Sequence, residues 1–136
     1  MHYVNGRTIK SFTLTKVIDY ENAEIAMTAY ENLNKLKTEN FNRIQIPDYH
    51  HEINGATLTI VSDYIKGIYS HEEDIIMEDV VMHKSDYTFN DYHRQNYILC
   101  DNTKMIYMVD LESYCYFPSL NKRCKYFERD WKAWWK

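Results

Sequence analysis

A stretch of helical periodicity with strand-like sequence on both sides limits the fold of this chain more than any other feature. In residues 21–37, apolar residues recur at the three- and four-residue spacing of an amphipathic helix, with no glycine or proline among them. Residues 1–17 alternate instead and are rich in tyrosine, valine, isoleucine, phenylalanine and threonine, which favours strands. A helix between strand-forming segments predicts an α+β fold.

Turn-forming pairs divide the strand-like sequence into hairpins. Asn5-Gly6 favours a primed turn and predicts strands at about 2–4 and 7–17, with room for one further break, while Asn54-Gly55 predicts a second turn. The strands predicted after the helix are 44–46, 56–61, 96–99 and 105–109. Two further helices are predicted, a short one at 72–82 and a final one from about Tyr126 that carries a tryptophan stripe.

Composition excludes several classes of protein. The 136 residues are 45% hydrophobic, with three glycines and no apolar run long enough for a membrane span, which predicts one domain with a core. Three cysteines without C-x-x-C spacing predict neither a disulfide framework nor a zinc site. The net charge of −4 combines +4 in residues 121–136 with −8 before them, which disfavours a general nucleic-acid partner and allows a local basic face. The first ten residues lack the apolar stretch of a signal peptide, so we expect a cytoplasmic protein without a membrane partner.

Two motifs carry candidate chemistry. Residues 90–99 read NDYHRQNYIL, and residues 109–112 read VDLE after the next predicted hairpin. Asp91 and Asn96 are thus five residues apart, and Asp110 follows in order. Asp and Asn also favour turns by themselves, but order and flanking strands agree here with a catalytic arrangement. The pattern resembles the protein-kinase-like phosphotransferases, nearest the aminoglycoside phosphotransferase and choline kinase branch.

The resemblance implies roles for individual residues. Asp91 would accept or orient the proton of an acceptor hydroxyl, and Asn96 and Asp110 would hold Mg²⁺. Lys16, ion-paired with Glu31 of the helix, would position the α- and β-phosphates of ATP. Lys10 competes with Lys16 for this role and Glu24 with Glu31, and the choice stays open. Glu112 would brace the metal-binding strand or contact the acceptor.

The implied fold is a minimal two-lobed kinase-like domain. Residues 1–66 would form an N-lobe with an antiparallel sheet and one helix, and residues 67–136 a reduced C-lobe. Residues 58–67 resemble the last N-lobe strand and the hinge that meets adenine. The implied activity is transfer of the γ-phosphoryl group of ATP, with Mg²⁺, to a hydroxyl of a small molecule. The thirteen tyrosines favour a homodimer that covers apolar surface.

Departures from the family pattern favour a second function. The chain has no glycine-rich G-x-G-x-x-G loop, Phe89 stands where the family usually has histidine, and few residues follow Asp91. A pseudokinase that acts as a nucleotide-binding or regulatory module would tolerate these departures. A generic α+β interaction domain is the third alternative. Mg²⁺-dependent nucleotide binding separates the kinase hypothesis from that alternative.

Overall fold

The structure, a computed structural model, describes residues 2–70, 87–89 and 96–116. The described strands are β1 His2–Lys10, β2 Thr13–Tyr20, β3 Tyr49–Asn54, β4 Thr57–Asp63, β5 Gly67–Tyr69, β6 Tyr87–Phe89, β7 Tyr97–Cys100, β8 Ile106–Met108 and β9 Tyr114–Tyr116. Among the described residues, the α-helix α1 Ala23–Leu36 follows β2, and a short 3-10 helix, Leu111–Ser113, lies between β8 and β9. The strands form three antiparallel sheets, ordered β1-β2-β4-β3, β5-β7-β8 and β6-β9. The predicted α+β class is therefore confirmed.

The first hairpin turns later than the sequence suggests. β1 runs through Asn5-Gly6 with a register shift between Val4 and Gly6, and the turn is made by Ser11 and Phe12. Both turn residues have positive φ, 53° and 64°, as a two-residue primed turn requires. The prediction of a turn at Asn5-Gly6 is wrong, because this pair is accommodated as a β-bulge inside one long strand.

The helix prediction is confirmed and has a local cause. The Asn22 side chain accepts a hydrogen bond from the Ile25 backbone N–H at 2.9 Å, which caps the first turn of α1. Ala26, Leu33 and Leu36 are buried, so α1 packs its apolar face against the hydrophobic core and exposes the opposite side of the helix.

The second hairpin confirms one prediction and corrects another. Gly55 has a φ of 61° in the turn between β3 and β4, which explains the glycine of Asn54-Gly55. The strand before this turn is Tyr49–Asn54, whereas residues 44–46 form one isolated parallel bridge, from Gln45 to Tyr107 of β8. Partly buried and exposed residues alternate along β3, so one face of the strand is covered. The two histidines make this alternation hard to recognise in the sequence, because both are polar.

The third hairpin agrees with the sequence. The predicted strands 96–99 and 105–109 correspond to β7 and β8. The turn between them is closed by a hydrogen bond from the Cys100 N–H to the Met105 carbonyl, at 2.9 Å. The predictions for residues 72–82, for the helix from Tyr126 and for Asp91 lie outside the described residues.

One hydrophobic core joins the two larger sheets and α1. Its buried members are Ile18, Leu33, Leu36, Phe41, Ile44, Leu58, Ile60, Tyr97, Ile106, Met108 and Leu111. The Tyr49 hydroxyl adds a polar link by donating a hydrogen bond to the Leu33 carbonyl. Residues on both sides of position 66 therefore share this core.

The chain crosses between the sheets in three residues, 64–66. The crossing ends at Gly67, where β5 pairs with β7, and a Cβ atom at Gly67 would lie 1.9 Å from the carbonyl oxygen of Leu99. A glycine is needed for this close backbone approach. The chain thus leaves the first sheet after Asp63, where β4 ends. Within the described segments, no helix has the length and apolar content needed to cross a membrane.

Candidate functional site

A cleft lies where the large sheet meets the β7–β8 hairpin, with a cavity volume of about 340 Å³. Residues opposite each other in adjacent strands project from the same face of a sheet. Arg7, Lys16 and Ile60 are such partners across β1, β2 and β4, and all three line the cleft. The remaining lining residues are Leu14, Pro47, Ser62, Asp63, Tyr64, Ile65, Tyr69, Asn96, Ile98, Val109, Asp110, Leu111 and Glu112. The lining of the cleft therefore combines apolar, polar and charged side chains.

Lys16 is the centre of a charged cluster in this cleft. Its Nζ lies 2.6 Å from Asp110 Oδ1 and also forms an ion pair with Glu112 Oε2. The Lys16 side chain is 13% exposed and the Glu112 side chain 2%. Two carboxylates therefore share one ammonium group in a largely desolvated position.

The β7–β8 hairpin brings Asn96 and Asp110 to the same end of the cleft. The Val109 N–H donates a hydrogen bond of 2.8 Å to the Asn96 carbonyl, which places Asn96 beside the residue that precedes Asp110. Asp110 has a φ of 60°, a left-handed conformation that aspartate tolerates better than most residues. Asn96 is buried and both residues line the cleft, so the structure brings these two candidates together.

The cluster shifts the pKa values of its members. Burial by itself lowers the pKa of Lys16, but the charges of Glu112 and Asp110 outweigh it and hold the pKa above its ordinary value. Burial, reinforced by the charge of Asp110, raises the pKa of Glu112 to about 7, and Lys16 offsets part of this effect. Lys16 is thus held in its charged form, whereas the carboxyl group of Glu112 ionises less readily than that of an exposed glutamate.

The donor atoms at this end of the cleft fit a magnesium ion. Carboxylate and amide oxygens are the ligands that Mg²⁺ prefers, and Asp110, Glu112 and Asn96 supply them. Oε1 of Glu112 is buried and accepts no hydrogen bond from any described residue. Among the described residues, no group of three His, Cys, Asp or Glu is arranged to hold a metal ion.

The predicted pair of Lys16 and Glu31 is not formed. Glu31 is exposed on α1, and so is its rival Glu24, because the buried side of the helix carries Ala26, Leu33 and Leu36. The carboxylates that contact Lys16 come from the segment after β8. This pairing corrects the expectation for Glu31.

The alternation of side chains along the strands decides which of Lys10 and Lys16 lies at the candidate site. Lys10 lies three residues after Arg7 on β1, so it projects from the opposite face of the sheet, is exposed and does not line the cleft. Lys16 is the lysine at the candidate site.

Sequence reasoning missed Arg7 and the pairing role of Glu112. Arg7 follows the Asn5-Gly6 pair, which looked like a turn, and its cleft-facing position depends on the bulge before it. For Glu112 the available signal was its spacing of two residues from Asp110. No protein-family model matches the chain, and no curated protein matches it in sequence.

Proposed function

We propose that the chain is a minimal kinase-like phosphotransferase, whose cleft binds ATP with Mg²⁺ and transfers the γ-phosphoryl group to a hydroxyl of a small molecule. The observation that carries the proposal is the cluster of Lys16, Asp110 and Glu112 beside Asn96, in a cleft bordered by the crossing segment at 64–66. Cationic and metal-ligating side chains beside an apolar wall suit a nucleotide with its phosphates.

Each residue has a role in this proposal. Asn96 and Asp110 hold Mg²⁺ and Glu112 supports them with its second oxygen. Bound Mg²⁺ supplies positive charge that offsets the charge on the transferred phosphoryl group. Lys16 contacts the α- and β-phosphates from the neighbouring strand. Asp91, which lies outside the described residues, orients the acceptor hydroxyl and takes up its proton.

The apolar side chains of the cleft suit the adenine base of ATP. Leu14, Ile60 and Ile98 line the cleft from both sheets, and the chain crosses between the sheets beside them. Apolar side chains above and below a planar ring stabilise it by burial. In the proposed two-lobed arrangement, with lobes at 1–66 and 67–136, the crossing segment is the hinge. The cytoplasm, where ATP and Mg²⁺ are plentiful, is the proposed location.

A thermal-shift titration with ATP, with and without Mg²⁺, tests the proposal. Ligands that bind the folded state raise the unfolding midpoint by mass action. We expect a Mg²⁺-dependent rise for the unmodified protein and its loss in Asp110→Asn, which keeps a residue that tolerates the positive φ. Asp101→Asn is the matched control, because Asp101 is exposed and does not line the cleft. No Mg²⁺-dependent rise in the unmodified protein, or an equal rise in Asp110→Asn, would overturn the proposal.

A pseudokinase is the second candidate. The β1–β2 turn is made by Ser11 and Phe12 rather than glycines, so a backbone loop over the phosphates lacks its usual residues. The ammonium group of Lys16 is also already engaged by two carboxylates. Formation of ADP in a screen of small alcohols distinguishes the two functions, since a pseudokinase binds the nucleotide without turnover.

A further inference from the structure

Arg7 lines the cleft on the strand next to Lys16. We propose, on the basis of the nucleotide-binding function above, that Arg7 is the residue that binds the outer phosphates of the nucleotide, through its guanidinium group rather than through a backbone loop.

The register of the first hairpin places Arg7 for this role. Arg7 pairs with Lys16 across β1 and β2, so the two side chains leave the same face of the sheet next to each other. Arg7 is exposed, whereas Lys16 is largely buried against the carboxylates. The two cations therefore stand at different depths along one side of the cleft, as an extended chain of phosphates requires.

A single-residue bulge produces this orientation. Val4 pairs with Ile18 and Arg7 pairs with Lys16, and residues 16 and 18 lie on one face of β2. Positions 4 and 7 would fall on opposite faces of a regular strand, because side chains alternate. The extra residue at Asn5 shifts the alternation and brings Arg7 to the cleft. Bulges frequently re-aim a side chain beside a site in this way.

The charges of the cleft-lining side chains also favour Arg7 as the residue that binds the outer phosphates. Arg7 and Lys16 are the basic side chains among the described residues that line the cleft, and Asp63, Asp110 and Glu112 are the acidic ones. Lys16 is paired with two carboxylates, while Arg7 forms no ion pair with any acidic residue in the part of the chain that the structure describes. An incoming polyphosphate is repelled by the carboxylates and needs a cation that is not already neutralised. A guanidinium group can bind two phosphate oxygens at once.

Affinity measurements with Mg²⁺-ATP and with adenosine test the inference. Arg7→Gln should weaken binding of Mg²⁺-ATP about 10- to 100-fold, the loss typical of a hydrogen bond to a charged group, and leave the affinity for adenosine unchanged. Arg7→Lys should fall between, because it keeps the charge and loses the bidentate geometry. Lys10→Gln is the matched control: it removes a cation from the same strand on the opposite face, and should bind both ligands like the unmodified protein.

The outcomes separate this inference from the proposed function. Absence of Mg²⁺-ATP binding by the unmodified protein overturns the function and the inference together. Binding by the unmodified protein with equal losses in Arg7→Gln and Lys10→Gln overturns the inference alone. Equal losses for ATP and adenosine in Arg7→Gln, or a lowered unfolding midpoint without ligand, would show that Arg7 supports the strand instead, and would also overturn it.

Discussion

At the scale of single residues, the balance of charge in the cleft governs what a substitution does. Lys16 compensates two carboxylates, of which Glu112 is nearly inaccessible to solvent. Removing one member of a buried ion pair leaves the other charge unpaired, which costs more than the pair itself contributes to stability. The cluster is therefore more sensitive to loss of its cation than to loss of one carboxylate.

Replacing Lys16 by methionine tests this asymmetry. We expect Lys16→Met to lower the free energy of unfolding by roughly 1–3 kcal/mol, because two desolvated acceptors lose their donor. Glu112→Gln should change the stability little, since Lys16 keeps Asp110 and the repulsion between the carboxylates disappears. Urea denaturation at neutral pH measures both.

The double variant Lys16→Met/Glu112→Gln provides the control. It should be more stable than Lys16→Met alone, because the neutral amide of glutamine is easier to bury than an unpaired carboxylate. Equal stability of the double and single variants would contradict the ion pairs described here.

The pKa of His51 in the folded protein contributes to the pH dependence of stability. Its ring lies 4.5 Å from that of Tyr30 between ring centroids, and burial, together with the charge of Lys37, lowers the pKa of His51. Below about pH 6.5 the unfolded chain binds a proton at this position that the folded protein does not bind. The contribution of His51 to the free energy of unfolding should therefore fall as the pH is lowered from 7 to 5, whereas the raised pKa of Glu112 acts in the opposite direction over the same range.

The neighbouring histidine supplies the comparison. Urea titrations across this pH range, in a Glu112→Gln background that removes the opposing carboxyl, should show a smaller loss of stability at low pH for added His51→Leu and an unchanged loss for added His50→Gln, because His50 is exposed. An unchanged dependence in His51→Leu would show that other groups cause it.

At the scale of elements, the β5–β7 pairing fixes how the chain enters the second sheet. The pairing begins at Gly67, whose missing side chain lets the backbone approach Leu99. A β-carbon at this position collides with backbone atoms, and these atoms move only if the two strands separate. The path of residues 64–66 along the cleft thus depends on one glycine.

Alanine substitutions at two glycines test the strand pairing. Gly67→Ala should destabilise the protein by at least about 1–3 kcal/mol, the usual cost of overpacking. Gly6→Ala is the control, since a Cβ there would meet no heavy atom within 4 Å and Gly6 does not have a positive φ. Thermal unfolding followed by circular dichroism compares them. Equal midpoints for the two variants would contradict the described approach of β5 to β7.

At the scale of the whole molecule, the shared core couples the two larger sheets. Leu58 of β4 and Met108 of β8 are both fully buried in the same cluster. Gln45 adds backbone hydrogen bonds to Ile106 and Met108 on the edge of β8. Neither sheet can lose its packing without exposing apolar surface of the other, so residues 1–66 do not have a core that is separate from that of β7 and β8.

Core truncations test this coupling. Leu58→Ala and Met108→Ala should each cost about 2–5 kcal/mol. Each should lower the protection of amide hydrogens in both sheets by the same amount, because the core unfolds as one unit. Hydrogen exchange of β2 and of β7 is the measurement. Loss of protection confined to the sheet that carries the substitution would show instead that the two parts unfold separately.

The sequence by itself determined the elements that local interactions specify. The periodicity of residues 21–37 and the cap at Asn22 define α1, Asn54-Gly55 defines one turn, and the β7–β8 hairpin brings Asn96 near Asp110. These interactions join residues that lie close in sequence, so composition and spacing reveal them. The α+β class follows from the same patterns.

Tertiary structure decided the contacts of the site. Lys16 forms its ion pairs with Asp110, 94 positions later in the sequence, and with Glu112, and not with a residue of α1. The strand before Asn54-Gly55 is β3 and not residues 44–46. The face on which Arg7 lies depends on one bulged residue. A shift of one residue moves every following side chain to the other face of a sheet, and which register is formed depends on the packing of the whole core. Local sequence patterns do not contain that information.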